Sequence, residues 1–79
     1  MKRSLLDLPL GQHAEIESID CGRRLSRRLM EMGVLPGTRV RVVRVAPLGD
    51  PIELRLRNYS LSVRRAEAAR IAVRPQGAV

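Results

Sequence analysis

Apolar and polar residues alternate along most of this chain, and the places where the alternation breaks mark its elements. In residues 13–19, Ala14 and Ile16 alternate with Glu15 and Glu17, the period of a strand with one buried and one wet face. Ile19 falls out of phase with Ile16, which predicts a bulge or the strand's end. The period then changes. Leu25, Leu29 and Met32 recur at i, i+4 and i+7, one face of a helix over residues 23–32. Arg23, Arg24, Arg27, Arg28 and Glu31 fall mostly on its wet sides, with Arg27 and Glu31 spaced to pair weakly. Asp20 or Gly22 is placed to cap the helix, and Gly33 to stop it, because glycine accepts a left-handed conformation without strain. Pro36-Gly37 then reads as a type II turn.

Alternation resumes in residues 38–45. Thr38, Val40 and Val42 face one way, and Val43 and Val45 the other, so a bulge or strong bend is expected at Val42-Val43. Residues 46–51 form a loop with proline near both ends. Ile52, Leu54 and Leu56 alternate with Glu53, Arg55 and Arg57, and Asn58 is expected at positive φ in the next turn. Tyr59, Leu61 and Val63 make the following strand, residues 65–69 one helical turn, and Ile71 and Val73 a last strand. Residues 1–4 are expected to be loose, residues 76–79 a tail, and the leucines of residues 5–10 an apolar clasp or single turn across one end. The tally predicts a mainly β fold: a small bent antiparallel barrel of about five strands, with one α-helix inserted after the first.

Composition narrows the picture. Seventy-nine residues predict one domain, 1–79, with its core in about residues 5–75. With one Tyr, no Phe and no Trp, that core must be aliphatic. The net charge of +7 is uneven: residues 1–20 carry 2 − 4 = −2, and residues 21–79 carry 13 − 4 = +9. This favours anionic partners such as nucleic acid, an anionic membrane surface or an acidic protein. Cys21 is the single cysteine, so no intramolecular disulfide forms, which fits a reducing compartment. No basic-then-apolar leader opens the chain, and no apolar run approaches the roughly 20 residues that span a bilayer. A soluble, cytoplasmic protein is expected.

Two stretches carry a family resemblance. RRLMEMGVLPGTRVRVV, residues 27–43, resembles the helix-to-strand signature of the FeoA family, the small cytoplasmic proteins of bacterial ferrous iron transport. PLGDPIELRLRNYSLSVRRAEAARIAV, residues 47–73, resembles the second half of that pattern. Each motif alone is weak; their order and spacing are specific. The resemblance implies an SH3-like barrel and a transition-metal role beside the FeoB-type ferrous iron transporter, a membrane protein with a cytosolic GTPase domain. It also implies kinship with the C-terminal domains of metal-dependent repressors, a reading that needs a DNA-binding domain absent from this sequence. Asn58 departs from the glycine that the family commonly places in that turn.

The candidate chemistry is that of a binding surface. Arg23, Arg24, Arg27 and Arg28 make an anion-binding helix face or simply a solvated one. A sharper reading sends Arg27 or Arg28 into the transporter's GTPase site to stabilise phosphoryl charge. In the loop, Leu48 is either folded into the core or offered to a partner, and Asp50 is expected to bond nearby backbone N–H groups. Met30 and Leu35, beside the helix end, form a candidate docking patch, and Tyr59 is read as a half-buried strand residue. One tyrosine cannot line a polyproline groove. His13 and Cys21 do not make a metal site, so no intrinsic iron site and no cofactor are expected. No Ser-His-Asp set, phosphate-binding glycine loop or metal-carboxylate cluster is present, which excludes an enzyme reading.

Two function classes remain. One is a non-enzymatic accessory that binds the transporter, held near the anionic inner leaflet by its charge. The other is a basic small barrel that binds nucleic acid electrostatically, against which stands the missing aromatic platform for stacking bases. The sequence leaves the oligomeric state open.

Overall fold

The computed structural model describes residues 3–76. Among these residues, six strands form one antiparallel sheet in the order β1-β6-β2-β3-β4-β5. They are β1 (Arg3–Ser4), β2 (His13–Ile19), β3 (Arg39–Val45), β4 (Ile52–Arg55), β5 (Ser60–Val63) and β6 (Ile71–Pro75). A 3-10 helix (Leu5–Asp7) follows β1, helix α1 (Arg23–Glu31) joins β2 to β3, and the short α2 (Arg65–Ala68) joins β5 to β6. The long connections bring the two ends of the chain together, since β6 returns to pair with both β1 and β2.

The expected five strands are therefore six. Arg3 and Ser4 are not loose: they pair with Val73 and Ala72. Two residues with no apolar alternation give no strand signal, and only the arrival of β6 makes one. Ser4 also caps the 3-10 helix, its hydroxyl accepting from the Leu6 N–H while Asp7 accepts from the Ser4 N–H. At the other end, Gln76 is not part of a free tail. Its N–H donates to the His13 carbonyl at 2.8 Å, and the Gln12 amide donates to the Gln76 carbonyl. The rest of both expected loose ends, residues 1–2 and 77–79, lies outside the described residues.

The alternation sets the core. Ala14, Ile16, Val40, Val42, Ile52, Leu54, Val63, Ile71 and Val73 turn inward from the strands. Leu5, Leu8, Leu29, Val34 and Ala68 close over them, so one face of a folded-over sheet meets one helix stripe in an aliphatic core. Both expected irregularities are bulges. The β2–β6 register shifts between Ile16 and Ser18, and the β3–β4 register between Val42 and Arg44. The second corrects one expectation. Beyond the bulge Val45 pairs with Ile52, so it returns to the core side, at the sheet's exposed end, and does not face away.

Helix α1 ends as glycine dictates. Gly33 sits at φ 95, its N–H donating to the Met30 carbonyl, while the Val34 N–H reaches back to Leu29 at 2.9 Å. This paired closure brings Val34 and Leu29, both buried, against each other. Gly37, at φ 90, occupies the third place of a turn closed by the Thr38 N–H on the Leu35 carbonyl, as a type II turn requires. Asn58 behaves otherwise than expected. No described residue except glycine has positive φ, so Asn58 does not adopt it. The β4–β5 connection is a wider loop over residues 56–59, closed by the Leu56 N–H on the Tyr59 carbonyl, and it needs no left-handed residue.

Candidate functional site

Helix α1 is amphipathic, but its apolar stripe is only partly covered. Leu29 is buried, whereas Leu25 and Met32 on either side are half-buried. The uncovered flank opens into a groove of about 470 Å³ between α1, residues 50–51, the end of β5 and the start of α2. Leu25, Leu29, Met32, Pro51 and Val63 supply its apolar surface, and Arg28, Asp50, Arg64 and Glu67 its charged rim.

The two rim acids are already engaged. Asp50 does not bond its own loop, as the sequence suggested. Its carboxylate accepts the Arg65 N–H at 2.9 Å and so caps α2 from fifteen residues away. Glu67 accepts the Arg64 N–H at 2.9 Å, satisfying another amide at the same helix start. Neither rim arginine is in an ion pair among the described residues, where Arg70 pairs with Asp20 and Arg74 with Glu15 and Glu17. The expected Arg27–Glu31 pair does not form within ion-pair distance. The groove thus presents apolar surface beside free positive charge. Its acids are spent on holding the loop and α2 together.

The first turn of α1 adds to this polarity. It carries Arg23 and Arg24 with no acidic residue, and Gly22, at φ 83, caps it without a side-chain hydrogen bond. Positive side chains at the positive end of a helix cost roughly 0.3–1 kcal/mol each at low salt. Arg24 and Arg27 are exposed, so they remain available for an anionic partner.

The other candidates fall in two places. Met30 and Leu35 are 41% and 44% exposed, on either side of the Gly33 stop. Tyr59, just before β5 and not within it, lays its hydroxyl against the hydrogen face of Gly33. Tyr59 therefore packs at the helix stop that Met30 and Leu35 flank in the chain, an association the sequence did not reveal because Tyr59 is distant from it. Leu48 stands apart at the tip of the β3–β4 loop, 97% exposed. That settles the alternative posed for it: the side chain is offered outward, not folded into the core. The Gly49 N–H on the Ala46 carbonyl and the Ala46 N–H on the Pro51 carbonyl hold the loop that presents it.

Cys21 sits half-buried before α1, its thiol 3.7 Å from the Glu67 carbonyl. Burial pushes its pKa up, the Glu67 and Asp20 carboxylates add to this, and Arg70 opposes them. The thiolate fraction at mildly alkaline pH is thereby reduced. Iodoacetamide at pH 8 is expected to alkylate Cys21 several-fold more slowly than free cysteine; an equal rate would contradict the burial of this thiol. Among the described residues no three His, Cys, Asp or Glu converge on a common point. Nor is any described helix long and apolar enough to cross a membrane.

Comparison with known proteins places this geometry in a family. The FeoA domain model matches residues 3–75. A Porphyromonas gingivalis protein, the Fe(2+) transport protein A/Fe(2+) transporter FeoB fusion protein, is 38% identical over 69 residues. That match takes in 87% of this chain but only 8% of the fusion protein's length. The solution structure of the Chlorobium tepidum FeoA protein superposes with a TM-score of 0.90 at 39% identity, covering 95% of this chain and 71% of that one. The zinc-complexed FeoA of Stenotrophomonas maltophilia, a prokaryotic SH3 domain protein, superposes with a TM-score of 0.76 at 32% identity, covering 90% and 88%. The six-stranded sheet with its inserted helix is SH3-like.

Proposed function

The chain belongs to the FeoA domain family of ferrous iron transport accessories, and from that premise we propose that it is a non-enzymatic cytosolic protein that binds a FeoB-type ferrous iron transporter and supports or regulates it. The observation that carries this reading is the Porphyromonas gingivalis relative, in which a sequence like this one is joined to the transporter in a single chain. Covalent joining raises the effective concentration of two modules that work together.

The docking face is the α1 side of the barrel. Leu48 projects as an apolar anchor, the groove beside α1 accepts an apolar side chain, and Arg24, Arg27 and Arg28 meet acidic groups around it. Apolar anchors at the centre and charge at the rim are the usual division of labour in protein interfaces. Asp50 belongs to the frame of this face, through its bond to Arg65, and not to its contacts.

The test is binding of the full chain to the matching transporter's cytosolic domain at physiological salt. Leu48→Asp is expected to weaken binding about tenfold or more, the size of one lost anchor. Its thermal midpoint should be unchanged, because Leu48 contributes almost nothing to the core. Binding that is indifferent to Leu48→Asp and to Met30→Asp would move the docking face elsewhere; no saturable binding at all would remove the accessory reading.

A further inference from the structure

The outer face of the sheet carries its charges in rows across the strands. In one row Arg74, Glu15 and Arg39 stand in register on β6, β2 and β3, an acid between two bases. In another Arg44 faces Glu53. Between them runs a row with no acid. His13 on β2 is opposite Arg41 on β3, Arg41 is opposite Arg55 on β4, and Arg55 is opposite Ser60 on β5. Like charges directly opposite each other on a sheet are destabilising.

Partial burial and a shared concavity set this row apart from the other arginines. Of the fourteen in the chain, only Arg41 and Arg55 are half-buried, and the others are exposed. Neither has a carboxylate within ion-pair distance among the described residues. They also line a concavity of about 690 Å³ with His13, Arg39 and Arg57, floored by Leu56 and bordered by Thr38. The helix arginines fan into water, where repulsion is screened. Arg41 and Arg55 are fixed face to face in strands and share a groove.

We propose that this groove is a binding site for a multiply charged phosphate group, held between the guanidinium forks of Arg41 and Arg55 and flanked by Arg39 and Arg57. The planar forks of arginine match phosphate oxygens in pairs. A lone carboxylate neutralises a single charge, whereas this groove concentrates four arginines; a phosphate chain or headgroup carries several charges in a small volume. The absence of Phe and Trp, with Tyr59 not lining the groove, leaves His13 as its one ring among five ionisable side chains, so charge on a phosphate, more than a base face, is what it reads. The site is independent of the transporter reading and shares no residue with the groove beside α1.

The probe is sodium tripolyphosphate, titrated into the full chain at physiological salt and followed by calorimetry and by thermal midpoint. Saturable binding is expected, with the midpoint rising as ligand is added. Arg41→Gln and Arg55→Gln are each expected to weaken it about tenfold, the loss of one charge-assisted hydrogen-bond pair. Arg24→Gln and Arg27→Gln should leave it unchanged. Both groove variants keep the core intact, because these side chains lie on the outer face; unchanged circular dichroism verifies that. A second arm uses vesicles of phosphatidylcholine with and without phosphatidylglycerol. Vesicle binding that needs Arg41 and Arg55 and is displaced by tripolyphosphate identifies a lipid headgroup as the source. Tripolyphosphate binding without vesicle binding identifies a soluble phosphate compound. The proposal is overturned if tripolyphosphate does not bind, if the helix variants weaken binding as much as the groove variants, or if a glutamate-rich peptide or duplex DNA binds more tightly through the same arginines.

Discussion

Leu54→Ala is expected to lower the unfolding free energy by about 2–5 kcal/mol, the range for a large buried side chain cut to a methyl group. Leu54 is fully buried, at the centre of β4, with Val42 opposite on β3 and Leu61 opposite on β5. These strands hold one another by register, so they have little freedom to collapse into the space left behind. The cost is large relative to the whole. Domains are stable by about 0.05–0.15 kcal/mol per residue, which gives this chain on the order of 4–12 kcal/mol. Chemical denaturation followed by circular dichroism measures the loss, and a fall in midpoint of more than about 10 °C accompanies it. A change below 1 kcal/mol would mean that the β3–β4–β5 centre is not packed as described. Every surface variant proposed above should stay well inside this loss, since surface changes away from special features usually lie within about 0.5 kcal/mol.

The second large effect concerns Gly33, where two separate requirements meet. The residue's φ of 95 lies in the region that L side chains avoid, at a cost of roughly 1–2 kcal/mol for alanine. A Cβ built there would also run into the Tyr59 hydroxyl. Gly33→Ala is therefore expected to destabilise by about 2–3 kcal/mol, with the Tyr59 part separable. In a Tyr59→Ala background the same substitution should cost about 1 kcal/mol less, a coupling of the size found between residues in contact. Equal cost in both backgrounds would show that only the backbone conformation matters at Gly33. The substitution has a functional reading as well. It displaces Tyr59 from the helix stop at Gly33, so a partner that docks against Tyr59 should lose affinity in Gly33→Ala beyond what reduced stability explains.

The candidate site was less legible than the fold, and the reasons are local. Leu48 and the helix arginines could be nominated because their character is set by a few neighbouring residues. Leu48 lies at the tip of a proline-bounded loop, and the arginines fall off the Leu25-Leu29-Met32 stripe. Whether Leu48 turned inward or outward depended on what lay beneath the loop. Asp50 was expected to bond amides of its own loop and braces a distant one, because its partner is the Arg65 amide on another element. Tyr59 was read as a strand residue and is a cover for Gly33. Arg41 and Arg55 escaped notice altogether. Each alternates normally within its own strand, and the conflict between them exists only when β3 and β4 are paired in this register.

The elements and their inward faces can be read from the order of residues alone. The period of the apolar residues is a local property, and so is the stop that Gly33 imposes. That order placed β2 at its observed bounds and the bulges near Ile16 and Val42, because a bulge is a break in phase along one strand. Which strands meet is fixed by long-range packing. The pairing of β6 with both β1 and β2 brings together residues more than fifty positions apart, and it turned Arg3 and Ser4 into a strand and held Gln76 in place. Neither segment carries a pattern of its own, since a two-residue edge strand is stabilised by its partner's backbone and not by its side chains. The same holds for charge. Net charge is written in the chain, but whether an arginine faces an acid, water or another arginine is fixed by register, and Coulomb interactions depend on distance in space and not along the sequence.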